Sequence, residues 1–272
     1  MNELIKNVKY LARKITASRI GAYAAQTAFF MFLSLIPLIM LLISILKQLG
    51  TSESAIYILN DNLLPGVFNS FFSLYVDEIV IQSTPSMTIV SILVLLWSAS
   101  KGIYAIIGGL NSVYEIKETR NYFLIRLASI FYTVSFMAIL VSALSILVFG
   151  DKINEILISL FPHITGLVYI ISSLRFIIGF VLLVLLFSIL YKALPSGKQR
   201  FSEQIPGAVI SSAGWVSFSI LFSFFVDNFS NYANIYGSLT AIIVLLLWLY
   251  VCMYIMFVGA KINFILSAKT NG

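Results

Sequence analysis

The chain has 272 residues, 60% of them hydrophobic and 10% charged, whereas a water-soluble domain carries about 25% charged residues. The excess apolar surface calls for lipid, and at about 20 residues per membrane-spanning helix the length accommodates about six spans. So little charge excludes a disordered chain, and a single cysteine, Cys252, excludes an internal disulfide framework.

Residues 1–21 read as a basic amphipathic helix. Leu4, Val8, Leu11 and Ile15 recur at helical spacing, with Lys6, Lys9, Arg13 and Lys14 on the opposite side. Such a helix lies in the membrane interface against anionic headgroups, as a topology anchor or as a lipid sensor. Residues 22–266 form the membrane domain, with spans expected at about 22–46, 87–107, 127–149, 169–191, 205–226 and 239–260, and residues 267–272 form a short tail. The segments are long and apolar on all faces, so helices are required; barrel strands would alternate over about 10 residues. The expected fold class is therefore all-α, a polytopic bundle of six transmembrane helices with amphipathic interfacial helices. Between the first two spans, Phe68, Phe71, Phe72, Tyr75 and Ile79 share one face, which predicts a helix on the outer leaflet serving as a cap or a lid. Residues 162–174, with His163, suggest a second external interfacial piece.

Lysine and arginine set the orientation. With the N-terminus in the cytoplasm, 14 of the 17 basic residues fall inside, and only Lys47, Lys152 and Arg175 fall outside. The expected location is a bacterial cytoplasmic membrane, multi-pass, with both termini cytoplasmic. The net charge of +6 is then orientation and anionic-lipid contact rather than a nucleic-acid surface.

Catalytic groups are sparse. There is one histidine, no Gly-rich phosphate loop ending in Gly-Lys-Ser/Thr, no His-Glu-x-x-His and no Cys-x-x-Cys, so no catalytic residue, metal site or cofactor is expected. Glu115 and Glu118 straddle Lys117 and read as a solvated loop cluster. Membrane-embedded charge is the better lead, because an ionisable side chain there must snorkel, pair or face water. Lys101 lies toward the inner end of span two and Arg175 about two turns into span four; both are candidate contacts for an anionic group, with Arg120 as a further basic contact and Asp227 as a candidate counter-charge. Small residues mark expected packing faces: Gly21, Ala25, Gln26, Thr27 and Ala28 in span one, Ser98 and Gly102 in span two, and Gly207, Ser211, Ser212 and Gly214 in span five. Pro37 is a candidate kink and Pro206 a first-turn residue. Trp97, Trp215 and Trp248 read as packing residues, as does Cys252.

Several motifs recur in an order that resembles the YihY/BrkB family of bacterial inner-membrane proteins. They are Ala24-Ala25-Gln26-Thr27-Ala28-Phe29-Phe30 with Leu33-Ser34-Leu35-Ile36-Pro37, Leu96-Trp97-Ser98-Ala99-Ser100-Lys101-Gly102 with Leu110-Asn111, and Glu118-Thr119-Arg120. Leu194-Pro195, Pro206-Gly207-Ala208, Tyr236-Gly237-Ser238-Leu239 and Leu247-Trp248-Leu249-Tyr250 complete the set, and the likeness spans about Ile20 to Leu266. Near the end, the family pattern is Gly-Ala-Glu-x-Asn, and this chain has Lys261 at the acidic position. The resemblance implies a six-helix membrane protein with cytoplasmic ends, linked to envelope integrity, lipopolysaccharide-related export and serum resistance, under an older ribonuclease BN label. The missing nuclease groups argue against that label. The expectation is a non-enzymatic transporter or flippase-like protein for an anionic lipid or envelope-related substrate, with membrane lipids as partners, envelope proteins as candidate partners and no nucleic acid. The alternative is a non-transporting scaffold for envelope machinery.

Overall fold

The computed structural model describes residues 18–48, 85–135, 175–197, 199–228 and 239–270. These form six helices: α1 Ile20–Gln48, α2 Pro85–Val113, α3 Tyr122–Ser135, α4 Arg175–Ala193, α5 Phe201–Asn228 and α6 Leu239–Thr270. No strand occurs among the described residues. The described residues of each expected span are helical, and the fold is all-α. The three expected interfacial segments lie almost wholly outside the described residues. By length and composition, Ile89–Val113, Phe201–Phe225 and Ile242–Ala268 are each sufficient to cross a membrane.

Helix α1 packs on α2, α5 on α6, α4 on α5, and α6 closes back on α1. Ile20, Ala24, Ile107, Leu110, Met256 and Phe257 meet in the core. Cys252 is fully buried there, as its apolar surroundings predict. An aromatic ladder joins α4, α5 and α6: Phe187 stacks near Tyr191, lies 5.2 Å from Trp215, and Trp215 meets Trp248 edge-on at 6.2 Å.

The small-residue faces separate into two groups. Gly207, Ser211 and Ser212 are at the α5–α6 contact or buried beside it, and Thr27 and Ala28 are buried in α1. Ala25 and Gln26, in contrast, point outward. Trp97 also departs from the packing reading: it is 61% exposed on α2.

Two helices run longer than their apolar segments suggest. Helix α2 continues through Gly108 and Gly109 to Val113, 29 residues or about 44 Å, and α6 continues to Thr270, 32 residues or about 48 Å. A hydrocarbon core is about 30 Å thick. The edge-on contact of Tyr104 with Tyr122, at 6.1 Å, places the start of α3 beside a point nine residues short of the α2 end. The α2 terminus therefore projects past the start of α3, and polar residues gather at that level.

Helix α5 also begins earlier than expected. Its first residue is Phe201, so Pro206 lies inside the helix rather than at its first position. A proline there removes one backbone donor and crowds the preceding turn.

Candidate functional site

The end of α2 carries an unusual cap. Glu115 has φ of 58°, a left-handed conformation that costs a non-glycine residue on the order of 1 kcal/mol. The bonds Ile116 N to Asn111 O (2.9 Å) and Glu115 N to Ser112 O (3.3 Å) make this a Schellman closure with glutamate where glycine is usual. Lys261 offsets that cost. Its ammonium, 1% exposed, donates to Val113 O at 2.9 Å and to Glu115 Oε1 at 3.1 Å and lies 4.4 Å from the Phe264 ring centroid. It thus satisfies a helix-end carbonyl and a counter-charge together, joining α6 to the end of α2.

Next to it is a buried amide relay. Tyr114 Oη donates to Gln204 Oε1 (2.6 Å), and Asn263 Nδ2 donates to Gln204 O (2.9 Å) and Oε1 (3.2 Å). Gly207 N–H, just after Pro206, donates to Asn263 Oδ1 at 2.6 Å. Burial pushes the Tyr114 phenol up, so it remains a donor at any physiological pH. A deeper bond closes the same helix group: Tyr191 Oη donates to Met256 O (2.6 Å) and pairs with Ser211 Oγ (2.7 Å).

On the other side of the α2 terminus, Glu118 and Arg120 form a clasp. Glu118 accepts from Arg120 N (3.0 Å), Nε (2.9 Å) and Nη2 (2.8 Å), and from Asn111 Nδ2 (2.6 Å). Arg120 Nη2 also donates to Leu194 O (3.0 Å), while Ser196 N donates to Asn111 Oδ1 (2.9 Å). The α2–α3 connection is thereby tied to the turn after α4. The Arg120 guanidinium holds the Glu118 carboxyl down to about 2, and the carboxylate in turn raises the guanidinium. Glu115 is 58% exposed, as a solvated loop residue would be, and Glu118 is half-buried, but each also has a specific cationic partner that the sequence reading did not give it.

A cleft of about 340 Å³ opens between α1, α2 and this connection, lined by Tyr23, Gln26, Tyr104, Asn111, Ser112 and Glu118 among others. Its hydrogen-bonding groups are phenols, amides and hydroxyls, and its one carboxylate is neutralised by Arg120. That lining suits a polar, uncharged group such as a polyol. Among the described residues, no three His, Cys, Asp or Glu side chains gather to hold a metal.

One turn from Tyr104 on α2, the Lys101 ammonium lies 5.3 Å from the Phe30 ring centroid and 5.4 Å from that of Trp97. The Arg126 guanidinium, from α3, lies 4.6 Å from the same Trp97 centroid and donates to Trp97 O at 3.3 Å. Of the four residues expected from sequence, the structure thus places Lys101 beside an aromatic plate and Arg120 in the clasp. Arg175 opens α4 and Asp227 lies near the end of α5, with their side chains outside the described residues. Arg126 and Gln204 carry no sequence signal of a site, while Lys261 and Asn263 figure only in the family pattern near the end of the chain. The signal for the last was a lone amide in a 32-residue apolar helix.

Comparison with known proteins gives a consistent family. The family model described as virulence factor BrkB matches residues 11–272. The chain is 29% identical over 262 residues to a putative ribonuclease-like protein, YfkH, of Bacillus subtilis (strain 168), covering 96% of this chain and 95% of that one. It is 26% identical over 278 residues to the UPF0761 membrane protein VV0203 of Vibrio vulnificus (strain YJ016), covering 97% of this chain and 83% of the relative. A UPF0761 membrane protein of Photobacterium profundum is 26% identical over 272 residues, covering 97% and 81%. No solved structure matches the chain.

Proposed function

The chain belongs to the virulence factor BrkB family of membrane proteins, and from that premise we propose that it moves an anionic, envelope-related lipid across a bacterial cytoplasmic membrane, with both termini and the polar end of the bundle in the cytoplasm. The observation that carries this reading is the 340 Å³ cleft, which offers hydrogen bonds to the uncharged, polyol part of a lipid headgroup beside helix faces that are otherwise apolar. A polar cavity adjoining exposed apolar helices is the arrangement a flippase needs, since the headgroup must be solvated while the acyl chains remain in lipid.

Among the described residues, no nucleophile–base pair lines the cleft. Ser112 Oγ is committed to Ser18 O at 3.0 Å, and the glutamate is held by arginine. Binding and passage, rather than hydrolysis, follow from those groups, so the protein is proposed to be no enzyme, the ribonuclease-like wording of the Bacillus relative notwithstanding.

The test is reconstitution into liposomes containing phosphatidylglycerol labelled on its headgroup side, with a membrane-impermeant reductant reporting which leaflet holds the label. Gln26 lines the cleft from an exposed position on α1, so Gln26→Trp fills the space without disturbing the core. The wild type should redistribute label and Gln26→Trp should not. Redistribution equal to that of empty liposomes, or unchanged by Gln26→Trp, would exclude the cleft as a lipid path and favour a scaffold.

A further inference from the structure

We infer that Lys101, Arg126 and Trp97 form a binding site for the phosphodiester of an anionic glycerophospholipid on the outer face of α2 and α3. This deepens the reading above by naming a docking position for the same lipid class, and it stands whether or not the lipid is moved.

Charge complementarity is the first argument. The structure describes three carboxylate side chains, and each is paired elsewhere: Glu115 with Lys261, Glu118 with Arg120, and Glu203 with Arg200 at 3.8 Å. Among the described residues no carboxylate pairs with Lys101 or Arg126. Both cations lie within 5.4 Å of one ring centroid, so their charged centres are at most 10.0 Å apart. A phosphodiester docked beside the indole takes one of the two by direct hydrogen bond and is attracted by the other, with the ammonium as a point charge and the guanidinium as a planar donor.

The surroundings supply the second argument. From Trp97, the exposed residues Leu93, Val94 and Val90 continue along α2 away from the polar end. From Arg126, the exposed residues Leu127, Phe131 and Val134 continue along α3 in the same direction, because the two helices run oppositely past each other. The cations therefore stand at the head of two apolar stripes, with the amphipathic indole between them, as an interfacial lipid requires. Next to them Tyr104 and Tyr122 lead from the cations to the cleft. A phosphate docked at the cations would place the rest of its headgroup at the cleft mouth.

Trp97 provides its own reporter. Trp215 and Trp248 contact each other inside the bundle, so Trp215→Phe with Trp248→Phe leaves one exposed indole in the full-length protein. Quenching is measured in liposomes carrying equal mole fractions of dibromo-phosphatidylglycerol or dibromo-phosphatidylcholine. The site predicts roughly thirtyfold preference for the anionic lipid, from two interfacial cations. Lys101→Gln with Arg126→Gln should remove the preference while Lys101→Arg with Arg126→Lys retains it, and circular dichroism establishes that each variant is folded. Equal quenching by the two lipids, or a preference that survives the double glutamine variant, overturns the site. Displacement by inorganic phosphate overturns its assignment to a lipid. Preference without any leaflet redistribution upholds the site while refuting transport, so the two readings fail separately.

Discussion

Replacing Glu118 by glutamine tests the clasp directly, because the amide keeps the shape and one acceptor but loses the charge. The carboxylate accepts four hydrogen bonds, three of them from Arg120. Its pKa falls from 4.5 to about 2 on folding. A folded-state value below the unfolded one means that the native state binds fewer protons, so the contribution is complete above about pH 4.5 and is lost as pH falls toward 2. Two and a half units correspond to about 3 kcal/mol, and since the side chain is 27% exposed, solvent screening brings the expected loss nearer about 2 kcal/mol. Glu118→Gln should therefore lower unfolding free energy by about 2 kcal/mol at pH 7, and less than half of that difference should remain at about pH 3. The assay is thermal unfolding in detergent across pH 3–7, paired with Arg120→Met and the double variant. In a double-mutant cycle the two single losses should fall well short of adding, since each breaks the same contact. A loss below about 0.5 kcal/mol at pH 7, or a pH profile parallel to that of the wild type, would refute the claim that this carboxylate ties the α2–α3 connection to α4.

Three further outcomes follow from the same geometry. Gly259→Ala would drive its methyl into Ser211 Oγ and Gly207 O, so α5 and α6 should separate with a loss of about 1–3 kcal/mol, read from thermal unfolding in detergent. Lys261→Glu would set two carboxylates against Val113 O; it should destabilise by more than about 2 kcal/mol, and adding Glu115→Lys should recover part of that loss in the melting temperature. Asn263→Leu removes the partner of the Gly207 N–H and the Asn263 bonds to Gln204, whose Oε1 keeps only Tyr114, so it should cost about 2–3 kcal/mol, against about 1 kcal/mol for Tyr114→Phe, measured by denaturant titration.

Helix existence was legible because each apolar run is too long to be anything else in lipid. Helix ends were less so. The expected end of span two at residue 107 and the first-turn reading of Pro206 both fall short: Tyr23 and Phe257 pack on Gly108 and Gly109 as α2 runs on, and α5 starts five residues before the proline. For the polar residues, depth could be read from position along a span, but partners could not. Arg126 was one more cation in a topology count, and only the approach of α3 to α2 places it on Trp97. Lys261 looked like a departure from a family pattern, and the left-handed turn at Glu115, which no local residue demands, turns the counter-charge toward it. Such contacts depend on how the helices meet, and chain-local periodicity does not record that.

The last helix supplies what the earlier ones lack. Tyr191 on α4 donates a hydrogen bond to Met256 O, and Gln204 and Gly207 on α5 reach Asn263, 59 and 56 residues later in the chain. During synthesis, α4 and α5 therefore precede the helix that supplies the Met256 carbonyl and the Asn263 amide, although Tyr191 already has Ser211 and Gln204 already has Tyr114. A chain broken between Met256 and Asn263 would keep the acceptor for Tyr191 but lose the amide bridge between Gln204 O and the Gly207 N–H, so the α5–α6 contact would lack its polar lock although every earlier helix had been made.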